Sequence, residues 1–220
     1  MLDDIIKERR RKLENLKQAG LNPYPAKINR TISIEEALKD FDKLSASNKK
    51  LSLAGRISAL RDQGSLIFLD LKDESGKIQA VFKKDNLKNF KLLKQNLDVG
   101  DFISVSGSLF KTQKGEKSVE TKDAEVIVKS LRPLPTQWFG LKDVEEKYRK
   151  RYLDLILNPE VKEKIAARSK IIETLRIDLA KEGFIEVETP MLQLLPGGAL
   201  ARPFITHHDA LNCVFSFIVF

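Results

Sequence analysis

Leu66-Ile67-Phe68-Leu69-Asp70-Leu71, then Asp73-Glu74-Ser75-Gly76, then Ile78-Gln79-Ala80-Val81-Phe82 is the stretch from which the architecture is read. Two alternating runs flank a compact, polar, glycine-bearing turn, which is the pattern of an antiparallel hairpin. With the turn at Asp73 to Gly76, Asp70 stands opposite Gln79 and Phe68 opposite Val81. A pleated strand sends successive side chains to opposite faces, so Ile67, Leu69 and Leu71 share one face. Leu66, Phe68, Asp70, Gln79 and Val81 share the other, less apolar face.

Working outward, similar runs occur at Leu51 to Leu60, Phe102 to Phe110 and Val119 to Val128, with a second polar turn at Gln113-Lys114-Gly115-Glu116. A helix-like segment from Asn86 to Asn96 separates the third strand from the fourth. Five strands interrupted at that point are the order of an OB-fold barrel. Before the barrel, residues 3 to about 19 form an amphipathic helix with Leu2, Ile5, Ile6, Leu13 and Leu16 on one side, ended by Gly20 and Pro23. Arg9, Arg10, Arg11, Lys12 and Lys17 crowd the remaining arc, either as an electrostatic arm for an RNA backbone or as an ordinary solvated face. Ser33-Ile34-Glu35-Glu36 has capping-box spacing and opens a second helix through Phe41.

Arg132-Pro133-Leu134-Pro135 reads as a stiff linker, because each proline fixes its own φ and restricts its predecessor. Beyond it, one helix is expected from Glu145 to Ile156 and a long one after Asn158-Pro159, with Asn158 as N-cap and Gly183 as the stop. Phe184-Ile185-Glu186-Val187-Glu188-Thr189-Pro190 alternates and ends in proline, as an edge strand does. The domains expected are a helical extension at 1–48, the OB barrel at 49–131, a linker at 132–147 and a further domain at 148–220. The fold class is α+β.

Composition narrows the function. Thirty-nine basic against 31 acidic residues give a net charge of +8, which suits a protein that meets a polyanion. No apolar run approaches the roughly 20 residues of a membrane helix, and no apolar signal core follows the acidic N-terminus. The single cysteine, Cys213, excludes an internal disulfide framework and fits a reducing, cytoplasmic setting. Phe68 beside Gln79 is the minimal equipment for one unstacked base, the ring stacking on its face and the amide reading its edge. On pattern alone, Phe68 as barrel filler and Gln79 as a solvated residue stay open.

The barrel motifs, followed by Leu131-Arg132-Pro133-Leu134-Pro135, Tyr152-Leu153-Asp154-Leu155-Ile156, the 183–190 segment and Gly197-Gly198-Ala199-Leu200-Ala201-Arg202-Pro203-Phe204-Ile205-Thr206-His207-His208, resemble the class II lysyl-tRNA synthetase family. The resemblance implies that Phe68, Gln79 and Glu116 hold the central anticodon uridine, with Arg61 nearby. It implies that Gly197 and Gly198 lie beside the lysine substrate, that Pro190 belongs to the dimer interface of motif 1, and that the second domain opens a class II catalytic domain. Lysine–tRNA ligase activity with tRNA(Lys), lysine, ATP and Mg2+, in a homodimer without membrane contact, is expected of the full-length enzyme.

The resemblance stops at Leu211, and the motifs 2 and 3 that would bind ATP have no counterpart. The chain is therefore expected to be a fragment, inactive alone, with no catalytic residue and no bound cofactor. Its end, Val214 to Phe220, is expected to be an exposed, β-prone aggregation liability. No metal site is expected, since adjacent His207 and His208 point to opposite faces of a strand. Two alternatives remain: an aspartyl- or asparaginyl-tRNA synthetase fragment, and a noncatalytic tRNA-binding module.

Overall fold

The computed structural model describes residues 2–135, 141, 143–194 and 202–217. The chain divides into two compact units, residues 1–142 and 143–220. The first begins with α1 (Leu2–Gln18), α2 (Ile34–Lys39) and α3 (Phe41–Ala46). The helix expected through Phe41 breaks at Asp40, where φ −96° and ψ 22° leave the helical region. The break lets Ile34, Ala37 and Phe41 all enter the core. The predicted capping box at the start of α2 is present, with Ser33 and Glu36 bonded reciprocally.

Next come β1 (Leu51–Asp62), β2 (Leu66–Lys72), β3 (Lys77–Lys83), α4 (Phe90–Asn96), β4 (Phe102–Lys111) and β5 (Lys117–Val128). β1 pairs with β2 on one side and β4 on the other, β3 pairs with β2 and, in parallel, with β5, and β4 pairs with β5. The ring is closed. Leu53, Ile57, Ile67, Leu69, Leu71 and Ile103 fill its interior, burying the apolar face that the alternation selects. Closure needs one very close approach: a Cβ on Gly107 would lie 1.9 Å from the Glu120 carbonyl oxygen. The ladder between β4 and β5 shifts register at that point, as a bulge that bends a barrel strand does.

The β2–β3 turn is fastened to α2. Asp73 Oδ1 accepts from the backbone N–H of Ser75 and Gly76 at 2.8 and 2.9 Å, and Oδ2 accepts from the Ile34 N–H at 3.1 Å and from Arg30 at 2.9 Å. Burial pushes the Asp73 carboxyl up, but hydrogen bonds from the Ser75 hydroxyl and from the backbone N–H groups of Ile34, Gly76 and Ser75 outweigh it and hold the group below its ordinary value.

At the other end of the barrel, Lys129 is fully buried. Its ammonium donates to the Asn96 carbonyl at 2.8 Å, to Asp98 at 2.5 Å and to Asp101 at 2.6 Å. Burial raises the Asp101 pKa against the pull of Lys129. Against this cluster sits α1, whose buried residues are Arg9, Leu13 and Leu16; Leu2 and Ile5, expected on the apolar side, are exposed. The Arg9 guanidinium donates to the carbonyls of Val99, Ser130 and Arg132, and Lys12 pairs with Asp98 at 2.7 Å.

In the second unit, the helix expected from Glu145 to Ile156 is two: α5 (Val144–Arg149) and α6 (Arg151–Leu157), broken at Lys150 with φ −115° and ψ 47°. α7 (Pro159–Lys181) follows, and Gly183 turns the chain with φ 90°. Asn158 occupies the N-cap position of α7 with Pro159 in the first turn, as expected, but its side chain makes no capping hydrogen bond; its amide donates to Asp154 Oδ1 at 2.7 Å. None of the residues of α7 is buried. The edge strand expected at Phe184 to Pro190 is not formed, because no strand among the described residues supplies a ladder, and Ile185 stands 86% exposed.

The strands lie further on: β6 (Leu192–Gln193), β7 (Phe204–His208) and β8 (Cys213–Phe217). β8 is central, antiparallel to both neighbours. Asn212, in the left-handed region with φ 45°, turns β7 into β8. Through Phe217, therefore, the segment expected to be exposed and β-prone is a strand paired on both sides, with Val214 52% and Phe217 38% exposed.

Candidate nucleic-acid interface

The ladders fix one outward row as Arg61, Phe68, Val81 and Glu120, and the next as Ala59, Asp70, Gln79 and Ser118. The pairings expected for Phe68 and Gln79 are those observed. Both residues are half-buried on the outer face, while the alternate residues Ile67, Leu69 and Leu71 fill the barrel. Phe68 is not interior packing.

Arg61 stands directly across from Phe68, a register the sequence left loose. Its Nη2 donates to Asp70 Oδ1 at 2.9 Å, and Lys77 Nζ reaches Asp70 Oδ2 at 2.8 Å. Ser118 Oγ lies 3.1 Å from Gln79 Oε1 and 3.2 Å from the Glu116 carbonyl oxygen. A hydroxyl serving the amide oxygen leaves the amide nitrogen of Gln79 as a donor for a ligand. Glu116 ends a tight β4–β5 turn closed by Thr112 N–H to its carbonyl at 3.0 Å, and it is exposed. Ser118, invisible as a functional residue in the sequence, thus has its one hydroxyl proton within reach of either the Gln79 amide oxygen or the Glu116 main-chain carbonyl. Lys83 pairs with Glu120 at 2.5 Å and holds that carboxyl below its ordinary value, against the opposing effect of burial.

The face therefore offers an aromatic ring, an amide donor, a carboxylate in a turn and tethered cations within a few strand spacings. Stacking plus edge hydrogen bonding is how proteins hold splayed, single-stranded bases. The basic helix contributes less than its composition suggests. Arg9 and Lys12 are engaged with the barrel, and Arg11 and Lys17 pair with Glu8 and Glu14 on α1 itself.

Sequence comparison places this face in a family. A model described as an OB-fold nucleic acid binding domain matches residues 51–134, and one for class II tRNA synthetases (D, K and N) matches residues 143–219. A lysine–tRNA ligase of Carboxydothermus hydrogenoformans is 48% identical over 213 residues, which is 96% of this chain and 43% of that protein. Those of Fervidobacterium nodosum and Syntrophomonas wolfei are 44% and 46% identical, each over 96% of this chain and 42% and 43% of their own length. The chain is a homologue of the lysine–tRNA ligases. It spans less than half the length of these curated relatives. The class II match runs eight residues past Leu211, where the resemblance was expected to stop.

Gly197 and Gly198 lie outside the described residues. Pro190 is exposed at the end of the unpaired 184–190 segment. His207 and His208 sit on β7, His207 Nδ1 3.0 Å from Asp209 Oδ1 and His208 Nδ1 accepting from the Leu211 N–H. Among the described residues, no group of three or more His, Cys, Asp or Glu side chains could hold a metal ion, and no helix is long and apolar enough to cross a membrane.

Proposed function

We propose that this chain supplies the anticodon-reading barrel and the opening of the catalytic domain of a lysine–tRNA ligase, a cytoplasmic enzyme that attaches lysine to its tRNA at the expense of ATP. The observation that carries the reading is the outward face on which Phe68, Gln79 and Arg61 lie together, with the Glu116 main chain within reach of Ser118 beside Gln79. Phe68 stacks on the central anticodon uridine, the Gln79 amide donates to its edge, Glu116 accepts from it, and Arg61 takes a neighbouring phosphate or base edge. Gly197 and Gly198 border the lysine pocket, and Pro190 belongs to a dimer interface. The domains run 49–131 for the barrel and 148–220 for the catalytic segment, with 1–48 and 132–147 as extension and linker.

ATP and Mg2+ serve the full-length enzyme. The described residues include no acidic cluster fitted to Mg2+, and no step of lysine activation is assigned to them.

The test is binding of the 220-residue chain to an RNA stem-loop with a uridine-rich anticodon. Phe68→Ala removes a stacking platform worth about 1–3 kcal/mol, roughly a 5- to 150-fold loss of affinity. Unchanged affinity in a variant that melts like the parent would overturn the assignment.

A further inference from the structure

The sequence places Asp70 on the same face as Phe68 and Gln79 but gives it no role there. It is nevertheless the centre of that face, two residues from Phe68 on β2, opposite Gln79, and bonded to Arg61 and Lys77. Its side chain is only 10% exposed, while those of Arg61 and Lys77 are 52% and 59% exposed. One carboxylate thus draws two cations from flanking strands and leaves their heads in water. A guanidinium has five N–H donors and an ammonium three, so a single contact each leaves most of the donor capacity for RNA.

We propose that Asp70 is a positioning residue for anticodon recognition, holding Arg61 and Lys77 beside the Phe68 ring; the inference rests on the anticodon reading above. Long basic side chains lose rotamer freedom when they bind, and a side chain already tethered in its bound geometry loses less. An ion pair whose cation is more than half exposed contributes little to stability, because water screens its attraction. The sheet does not need this carboxylate in order to fold, whereas the two exposed cations need it in order to stay in place.

The sign of the effect separates positioning from net charge. Asp70→Asn keeps the shape and raises the chain's net charge by one, so simple attraction to a polyanion predicts tighter RNA binding. Positioning predicts the reverse: affinity for the uridine-rich stem-loop falls about tenfold, by the magnitude of a charge-assisted contact. The fall should be absent when Arg61 and Lys77 are both alanine, and smaller for a stem-loop whose anticodon uridines are replaced by cytidine. Affinity equal to or above that of the parent, with Phe68→Ala still weakened, would overturn the positioning role alone. Silence at both Asp70 and Phe68 would overturn the anticodon reading and this inference with it. If Asp70→Asn does not fold, Arg61→Lys gives the readout, since it keeps the charge but loses the planar fork. About threefold weaker binding is expected, and parent-like affinity would overturn the proposal.

Discussion

The barrel and the long helix α7 are both patterned sequences, yet only one has its pattern satisfied within the described chain. On β4 every second residue from Ile103 to Leu109 is buried, whereas α7 carries Ile165, Ile171, Ile172, Leu175 and Leu179 at exposures of 41% or more. The difference teaches that periodicity reports which face of an element seeks cover, and that the cover itself must come from elsewhere. In the barrel it comes from the next strands of the same chain. For α7 we propose that it comes from a second copy, as the class II resemblance of the segment implies.

The comparison can be broken most severely at the buried Lys129 cluster. Lys129→Met leaves Asp101 buried without its cation and is expected to cost about 3–5 kcal/mol in urea unfolding at neutral pH. Asp101 already has a raised pKa, so the loss should shrink as pH falls and the carboxyl takes a proton. A loss independent of pH would show that Asp101 is not the group left unpaired.

Leu69→Ala, at a position with 0% exposure, should cost about 2–5 kcal/mol by the same measurement. A cost near zero would mean that the barrel interior is not the core that the alternation indicates.

Next in size is Asp73→Asn, expected to cost about 1–2 kcal/mol by weakening the bonds that close the turn and start α2. The Asp73 pKa is lowered on folding from an unfolded value near 3.8. Its contribution is therefore present above about pH 4 and lost as pH falls through the lower folded pKa. The variant should lack that part of the acid-induced loss, and an acid profile parallel to the parent's would contradict the assignment.

The smallest effect sharpens the contrast. Leu175→Ala on α7, 58% exposed, should change monomer stability by no more than about 0.5 kcal/mol. In sedimentation it should abolish any self-association that the parent shows at high concentration. A large monomer destabilisation would mean that this face is covered within the chain after all.

Five strands, their turns and the Phe68–Gln79 face could be read from the sequence because alternation and turn chemistry are local and the barrel satisfies them internally. The helix breaks at Asp40 and Lys150 could not, since neither position carries proline or glycine and the breaks come from backbone angles that local propensity does not favour. The 184–190 segment alternates as a strand does, but a strand also requires a neighbour. β8 shows the converse: an apolar run read as a liability has a partner on each side. Asp70 was placed correctly but given no role, because a lone acid on a polar face gives no sign that it gathers cations from both adjacent strands.

Arg9 has a consequence for the order of events during synthesis. Its guanidinium is held by the carbonyls of Val99, Ser130 and Arg132, the second of them 121 positions away in sequence. At roughly 5–20 residues per second, the Ser130 carbonyl emerges about 6–24 s after Arg9 itself. A lone helix of 17 residues is only marginally stable in water over that interval. α1 is thus made well before the carbonyls that seat it, and until then Arg9 and Lys12, later drawn onto the barrel, face the solvent.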